Sequence, residues 1–129
     1  MPNNHANKIT GRLGEDIACN FLEKLGYKIL AKNYRYSRFA EIDIVAKDKD
    51  TIVFTEVKTR YGTNFGHPFE AVNHKKLLNI FKAGLYYLQN NKEYYKRYRI
   101  DIVSVILNAQ NTTQDIEPVI EHLKDVSLN

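Results

Sequence analysis

At 129 residues and 43% hydrophobic content the chain suits one globular domain with a buried core and is too short for two. Charged residues make up 26% and apolar runs are only a few residues long, so no stretch would span a bilayer, and the opening MPNNHANKIT lacks the apolar centre of a secretory signal. The net charge of +4 permits a polyanionic partner without requiring one, and the single cysteine, Cys19, excludes an internal disulfide and fits a reducing cytoplasm.

Residues 1–8 are polar and expected to fray. Thr10 is positioned to N-cap a helix running to about Leu25, with Gly11 and Gly14 weakening its first turn and Gly26 ending it. Leu13, Ile17, Ala18, Phe21, Leu22 and Leu25 recur at helical spacing as one apolar stripe, with Cys19 as a small core residue. Residues 27–35 read as a first strand, irregular around Asn33. Residues 40–47 read as a second strand and 52–59 as a third, joined through Asp48, Lys49, Asp50 and Thr51. The glycines and proline of GTNFGHP mark a loop, which also holds Phe65 and His67. A second helix spans about 69–90, burying Val72, Leu77, Ile80, Phe81, Leu85 and Leu88. Residues 92–99 form a basic, tyrosine-rich connection, 100–107 a β-branched fourth strand, and 108–115 a polar loop. Pro118 limits residues 116–120 to an edge strand, and 121–129 end as a short helix or tail. The middle strands are apolar on both faces, with Ile42, Ile44 and Ala46 on one side of the second and Val45 on the other, so the two helices should cover both sides of the sheet.

Glu41, Asp43, Glu56 and Lys58 interrupt the hairpin strands. Side chains alternate along a strand, so Glu41, Asp43 and Val45 share a face, as do Ile52, Phe54, Glu56 and Lys58. Register decides whether the two sets meet. A loop of Asp48–Thr51 pairs Lys47 with Ile52 and sets Asp43 opposite Glu56, whereas a loop one residue shorter sends them to opposite faces. Two carboxylates about 4.5 Å apart repel by about 4 kcal/mol at an effective dielectric of about 20. A hard divalent cation, Mg²⁺ or Mn²⁺, relieves that repulsion, and the Val57 carbonyl on the same strand edge can add a ligand. Lys58 beside the cation suits orienting water or neutralising a phosphate, which is phosphodiester hydrolysis. When the triplet stands alone, a solvated strand edge is the usual explanation of E-x-K.

With the acid at the matching point of the preceding strand, Asp43 followed by Glu56-x-Lys58 resembles the PD-(D/E)xK nuclease motif. GRLGEDIACNFLEKLGYKIL, NYR, EIDIVA, VFTEVKTR, FGHPFEAVNHKK and RIDIVSV are similar, in sequence and order, to the YraN-like family of endonuclease-related bacterial proteins, over roughly residues 9–107. Residues 1–129 are expected to form a single nuclease-like domain with loose ends at 1–8 and 122–129. The resemblance implies an α/β restriction-endonuclease-like core (α-β-β-β-α-β), with a mixed central sheet flanked by helices on both faces. It also links the chain to archaeal-type Holliday junction resolvases, which act as dimers with a divalent metal. Carried over, Glu15 matches the helix acid, Asp43 the strand acid, and Glu56 and Lys58 the E-x-K pair, while Lys76 matches a basic position of the second helix. Ala40 stands where the family commonly has Gly, Thr55 where it commonly has Val, and Ile42 where the motif's name has Pro, and none of these removes a ligand.

The expectation is therefore a Mg²⁺- or Mn²⁺-dependent endonuclease acting on DNA, branched or structured DNA included, as a cytoplasmic protein and a candidate homodimer. The alternative is a non-catalytic nucleic-acid-binding or adaptor domain that retains the fold. Arg60, Lys75 and Lys76 are the candidate phosphate contacts, with Lys82, Arg97 and Arg99 as further basic positions and Tyr94, Tyr95 and Tyr98 as stacking candidates. Glu41 is given a supporting role. His5, His67, His74 and His122 show no ligand spacing.

Overall fold

The structure is a computed structural model that describes residues 4–62, 72–107 and 117–127, the side chains of 4–7 excepted. Its elements are α1 (Asn4–Lys24), β1 (Lys28–Ser37), β2 (Ala40–Asp48), β3 (Thr51–Tyr61), α2 (His74–Asn90), β4 (Arg97–Leu107) and β5 (Val119–Leu123). The five strands lie in sequence order, β1-β2-β3-β4-β5. The first three are joined antiparallel, β3 and β4 are parallel, and β4 and β5 are antiparallel, so the sheet is mixed. A parallel pair needs a long crossover, and α2 lies within it.

Helix α1 begins at Asn4, so Thr10 is inside it and is not its N-cap. No proline or glycine interrupts residues 4–10, and the helix simply continues through them. Its end follows expectation. Gly26 has φ +94, its N–H donates to Glu23 O (2.9 Å), and the Tyr27 N–H donates to Leu22 O (3.0 Å), the paired closure of a Schellman motif. Ala18, Cys19 and Leu22 are buried, and Ile17 and Phe21 pack beside them. Leu13 and Leu25 are exposed, because the stripe that meets the sheet is narrower than periodicity suggests.

Helix α2 begins at His74, with Val72 and Asn73 outside it rather than in a helix from Phe69. Asn73 caps it by accepting the Lys76 N–H (2.9 Å), as an asparagine N-cap does. Leu77, Ile80, Ala83, Gly84 and Tyr87 are buried, and Leu85 is turned to solvent. Gly84 allows the close approach: a Cβ there would stand 2.6 Å from the Phe54 ring. The GTNFGHP positions 63–68 and the polar loop 108–115 lie outside the described residues.

The helices cover opposite faces of the sheet. Ile44, Ala46, Val53, Val57, Val103 and Val105 pack with α1, whereas Ile42, Val45, Ile52, Phe54, Ile100 and Ile102 pack with α2. Ile42 and Ile44 therefore face opposite sides, contrary to simple alternation. The change of face occurs at Asp43. Across from it on β1, between the pairs Lys32↔Ile44 and Tyr34↔Ile42, Asn33 adopts φ +53. The left-handed turn of Asn33, a residue type that tolerates it, is the irregularity expected on the first strand. β4 begins at Arg97, three residues earlier than expected, and β5 runs through Leu123 instead of ending at Ile120, so the C-terminal stretch carries a strand and not a short helix. Among the described residues no helix is long and apolar enough to cross a membrane.

Candidate active site

The β2–β3 turn pairs Lys47 with Ile52 and Asp48 with Thr51, the register that brings Asp43 towards Glu56. Regular pairing stops at Ile44↔Thr55. Beyond it the Asp43 carboxylate replaces a backbone acceptor: the Val57 N–H donates to Asp43 Oδ2 at 2.8 Å. The N–H and C=O of a strand residue leave the same edge, so the Val57 carbonyl also faces β2.

Glu56 is 3% exposed. Its Oε1 lies 3.7 Å from Lys58 Nζ and 3.7 Å from Lys76 Nζ, while its Oε2 is buried without a hydrogen-bond partner. Burial, and then the negative charge of Asp43, push the Glu56 pKa up to about 8, and Lys76 and Lys58 only partly oppose this. Both ammonium groups stand beyond hydrogen-bond length and are partly solvated, which explains why they do not win. Asp43 is also raised, by burial, against the Val57 N–H and the charge of Lys76.

Glu15 reaches the margin of this group from α1. Its pKa is raised by burial and by Asp43, with Asn33 and Lys32 opposing. Gly14 makes that approach possible, since a Cβ there would meet the Cβ and Cγ2 of Thr59 on β3 at 2.7 and 2.8 Å. With its amide nitrogen turned to the acids, Asn33 donates to Glu15 Oε2 (3.3 Å) and Glu41 Oε1 (3.2 Å). Glu41 is held by Arg35 at 2.7 Å and so supports the margin of the site. Lys8, Gly11, Arg12, Glu15, Asn33, Arg35 and Glu41 line an open cleft of about 420 Å³.

Among the described residues no three His, Cys, Asp or Glu side chains gather as a closed cation site. What is present is an open set: Asp43, Glu56 with its unpartnered Oε2, and the facing Val57 carbonyl edge. Such a set fits a cation that retains several waters, as Mg²⁺ does, and does not fit a site built wholly from protein ligands. Lys75 is exposed on α2 beside Lys76, and Arg60 is two residues beyond Lys58 on β3.

Several of the basic and aromatic candidates have other work. Arg99 is an internal residue: Nε donates to Asp101 Oδ1 (3.0 Å) and Nη2 to the Tyr27 hydroxyl (2.8 Å). Tyr98 packs on Phe54 and Phe81, and Lys47 sits over the Tyr94 ring. Asp101 is fully buried and also binds His122 (2.8 Å) and the Asp125 N–H (3.0 Å), which fastens β5 to β4. Burial pushes Asp101 up, but His122, Arg99 and the Asp125 amide hold it below the ordinary carboxylate range. Neither Asp101 nor the Asn33 amide stands out as a functional residue in the sequence. The lone acid within RIDIVSV was the available signal for the first, and the second had none beyond the suspected irregularity.

A family model described as uncharacterised protein family UPF0102 matches residues 14–105. The chain belongs to that family. It is 44% identical over 111 residues to a UPF0102 protein of Clostridium kluyveri, covering 86% of this chain and 90% of that one. A UPF0102 protein of Persephonella marina is 44% identical over 100 residues (78% and 85%), and one of Syntrophus aciditrophicus is 47% identical over 104 residues (81% and 81%). UPF0102 is the YraN-like family that the motifs resemble, and its matched span includes Glu15, Asp43, Glu56, Lys58 and Lys76.

Proposed function

We propose that this UPF0102 chain is a Mg²⁺- or Mn²⁺-dependent endonuclease that hydrolyses phosphodiester bonds of DNA, with branched or structured DNA as its substrate class. The observation that carries the reading is the buried meeting of Asp43 and Glu56, with one Glu56 oxygen unpartnered and two lysines alongside. A structural core gains nothing from two desolvated acids, whereas a cation site needs them. The strand order and the helix on each face agree with a restriction-endonuclease-like core.

Asp43, Glu56 and the Val57 carbonyl would hold the cation. Bound there, it would neutralise phosphate charge and supply a nucleophilic water at neutral pH. The Val57 N–H fixes the Asp43 carboxylate in place. Lys58 orients the water or meets the negative charge that gathers on the phosphate as the P–O bond to the leaving sugar breaks. Glu15, at the edge of the same group, accepts a proton from the attacking water. Lys8, Arg12 and Arg35 around the cleft, with Arg60, Lys75 and Lys76, give the backbone a basic approach. A two-fold dimer is the form that would cut both strands of a junction.

The test is a cleavage panel over duplex, single-stranded, flap and four-way DNA, with Mg²⁺, Mn²⁺ or EDTA. Cleavage of at least one form with metal only, lost in Lys58→Ala and in Asp43→Asn while both variants fold, is the expected result. No cleavage of any form in either metal would sink the enzyme reading. Salt-sensitive binding that survives Asp43→Asn without turnover would point to the adaptor reading.

A further inference from the structure

We propose that Lys76 is a built-in counter-ion that takes the cation's place beside Glu56 and gives it up when nucleic acid arrives, so that metal and nucleic acid bind this chain cooperatively. The inference rests on the cation site proposed above and says how that site is filled.

The two lysines at Glu56 differ in mounting. Lys58 sits on β3, two residues from Glu56, whereas Lys76 comes from α2. Both ammonium groups lie 3.7 Å from the same oxygen, Glu56 Oε1. The Glu56 side chain is only 4% exposed, so it has nowhere else to go, while the Lys76 side chain is 39% exposed and opens to solvent. The Lys76 main chain is pinned through its N–H to Asn73 Oδ1, which leaves a flexible four-carbon stem as the moving part. The 3.7 Å contact sets the ammonium against the negative charge that Asp43 and Glu56 carry between them, without a hydrogen bond, and such a contact is readily exchanged.

Lys76 also occupies an adverse position. The first turn of α2 contains no acid, and His74, Lys75 and Lys76 crowd its positive end. Among the ion pairs of the described residues, that to Glu56 is the one Lys76 makes. A dication beside Glu56 would repel the ammonium at Oε1, so one must weaken the other. A phosphate offers Lys76 a new partner on its exposed side. Drawing the ammonium outward lowers the repulsion and tightens cation binding. By linkage the cation then tightens nucleic acid binding by the same factor.

The experiment is calorimetric titration of the full chain with Mn²⁺ and no nucleic acid, for wild type, Lys76→Met, Lys76→Gln, Lys76→Arg, Lys75→Met and Asp43→Asn, with circular dichroism on each. Lys76→Met and Lys76→Gln should bind Mn²⁺ at least about tenfold tighter than wild type. Lys76→Arg and the exposed-neighbour control Lys75→Met should stay within about twofold, since the first keeps the charge and the second does not touch Glu56. Repeating the titration with a phosphorothioate duplex should tighten Mn²⁺ binding to wild type more than to Lys76→Met. Mn²⁺ binding that is lost in Asp43→Asn but no tighter in Lys76→Met and Lys76→Gln would overturn the counter-ion and leave the cation site standing. No Mn²⁺ binding by any variant would overturn both.

Discussion

Replacing Glu56 by glutamine should stabilise the metal-free protein at pH 8 and change it little at pH 5. In the folded chain Glu56 is buried beside Asp43, which pushes its pKa from 4.5 up to about 8. Between those values the folded state keeps a proton that the unfolded state has released, so wild-type stability must fall as pH rises through that window. A gap of about 3.5 pH units at about 1.4 kcal/mol each sets a ceiling of about 5 kcal/mol. Reorientation of the two half-exposed lysines as Glu56 ionises makes about 2–4 kcal/mol the expected loss. Glutamine does not titrate and can donate to Asp43, so its curve should lack this fall. Urea unfolding in EDTA at pH 5, 6, 7 and 8 measures the difference between the two proteins, in which the contributions of groups they share largely cancel. Mn²⁺ added at pH 8 should restore wild type and leave Glu56→Gln unmoved. Parallel curves for the two proteins would refute the claim that Glu56 is held protonated by its surroundings.

Two glycines of one helix should respond in opposite senses. Gly11→Ala meets nothing within 4 Å and should stabilise by about 1 kcal/mol, whereas Gly14→Ala drives a methyl group into Thr59 and should destabilise by about 1–3 kcal/mol in urea melts. Gly84→Ala should cost a similar amount by striking the Phe54 ring, and Phe54→Leu should recover part of it in the double variant. Asp101→Ala leaves the partly buried Arg99 with only Tyr27 and Asp48, frees His122 from β4, and should cost about 2–4 kcal/mol, with β5 amides losing hydrogen-exchange protection first. Lys58→Ala should lower any metal-dependent cleavage rate by at least about a hundredfold without changing the unfolding midpoint by more than about 1 kcal/mol equivalent.

The hairpin was legible because its evidence is local. Strand alternation and the length of the Asp48–Thr51 turn set the Lys47–Ile52 pair, and that pair aims Asp43 at Glu56. Gly26 was legible for the same reason, as a residue whose backbone freedom ends a helix. The change of face at Asp43 was not, because it arises when a side chain captures the Val57 N–H and displaces the ladder, which no periodicity encodes. The Arg99–Asp101–His122 cluster was hidden by distance: its members meet Tyr27 and Asp125 across the chain, so Arg99 read as one more basic surface residue. The start of α2 was misplaced because Asn73, a strong N-cap, lies within an otherwise helix-compatible run.

The uneven pairing of β1 matters at the rim of the sheet. β1 is an outermost strand, yet its pairing with β2 slips between Ile29 and Ala31 and again between Arg35 and Ser37. A stranger's backbone laid along that rim would find its hydrogen-bonding groups out of step every few residues. β5, at the opposite rim, offers only five residues. Among the described residues neither border is a good template for an added strand, which favours side chains over backbone wherever a second chain meets this one.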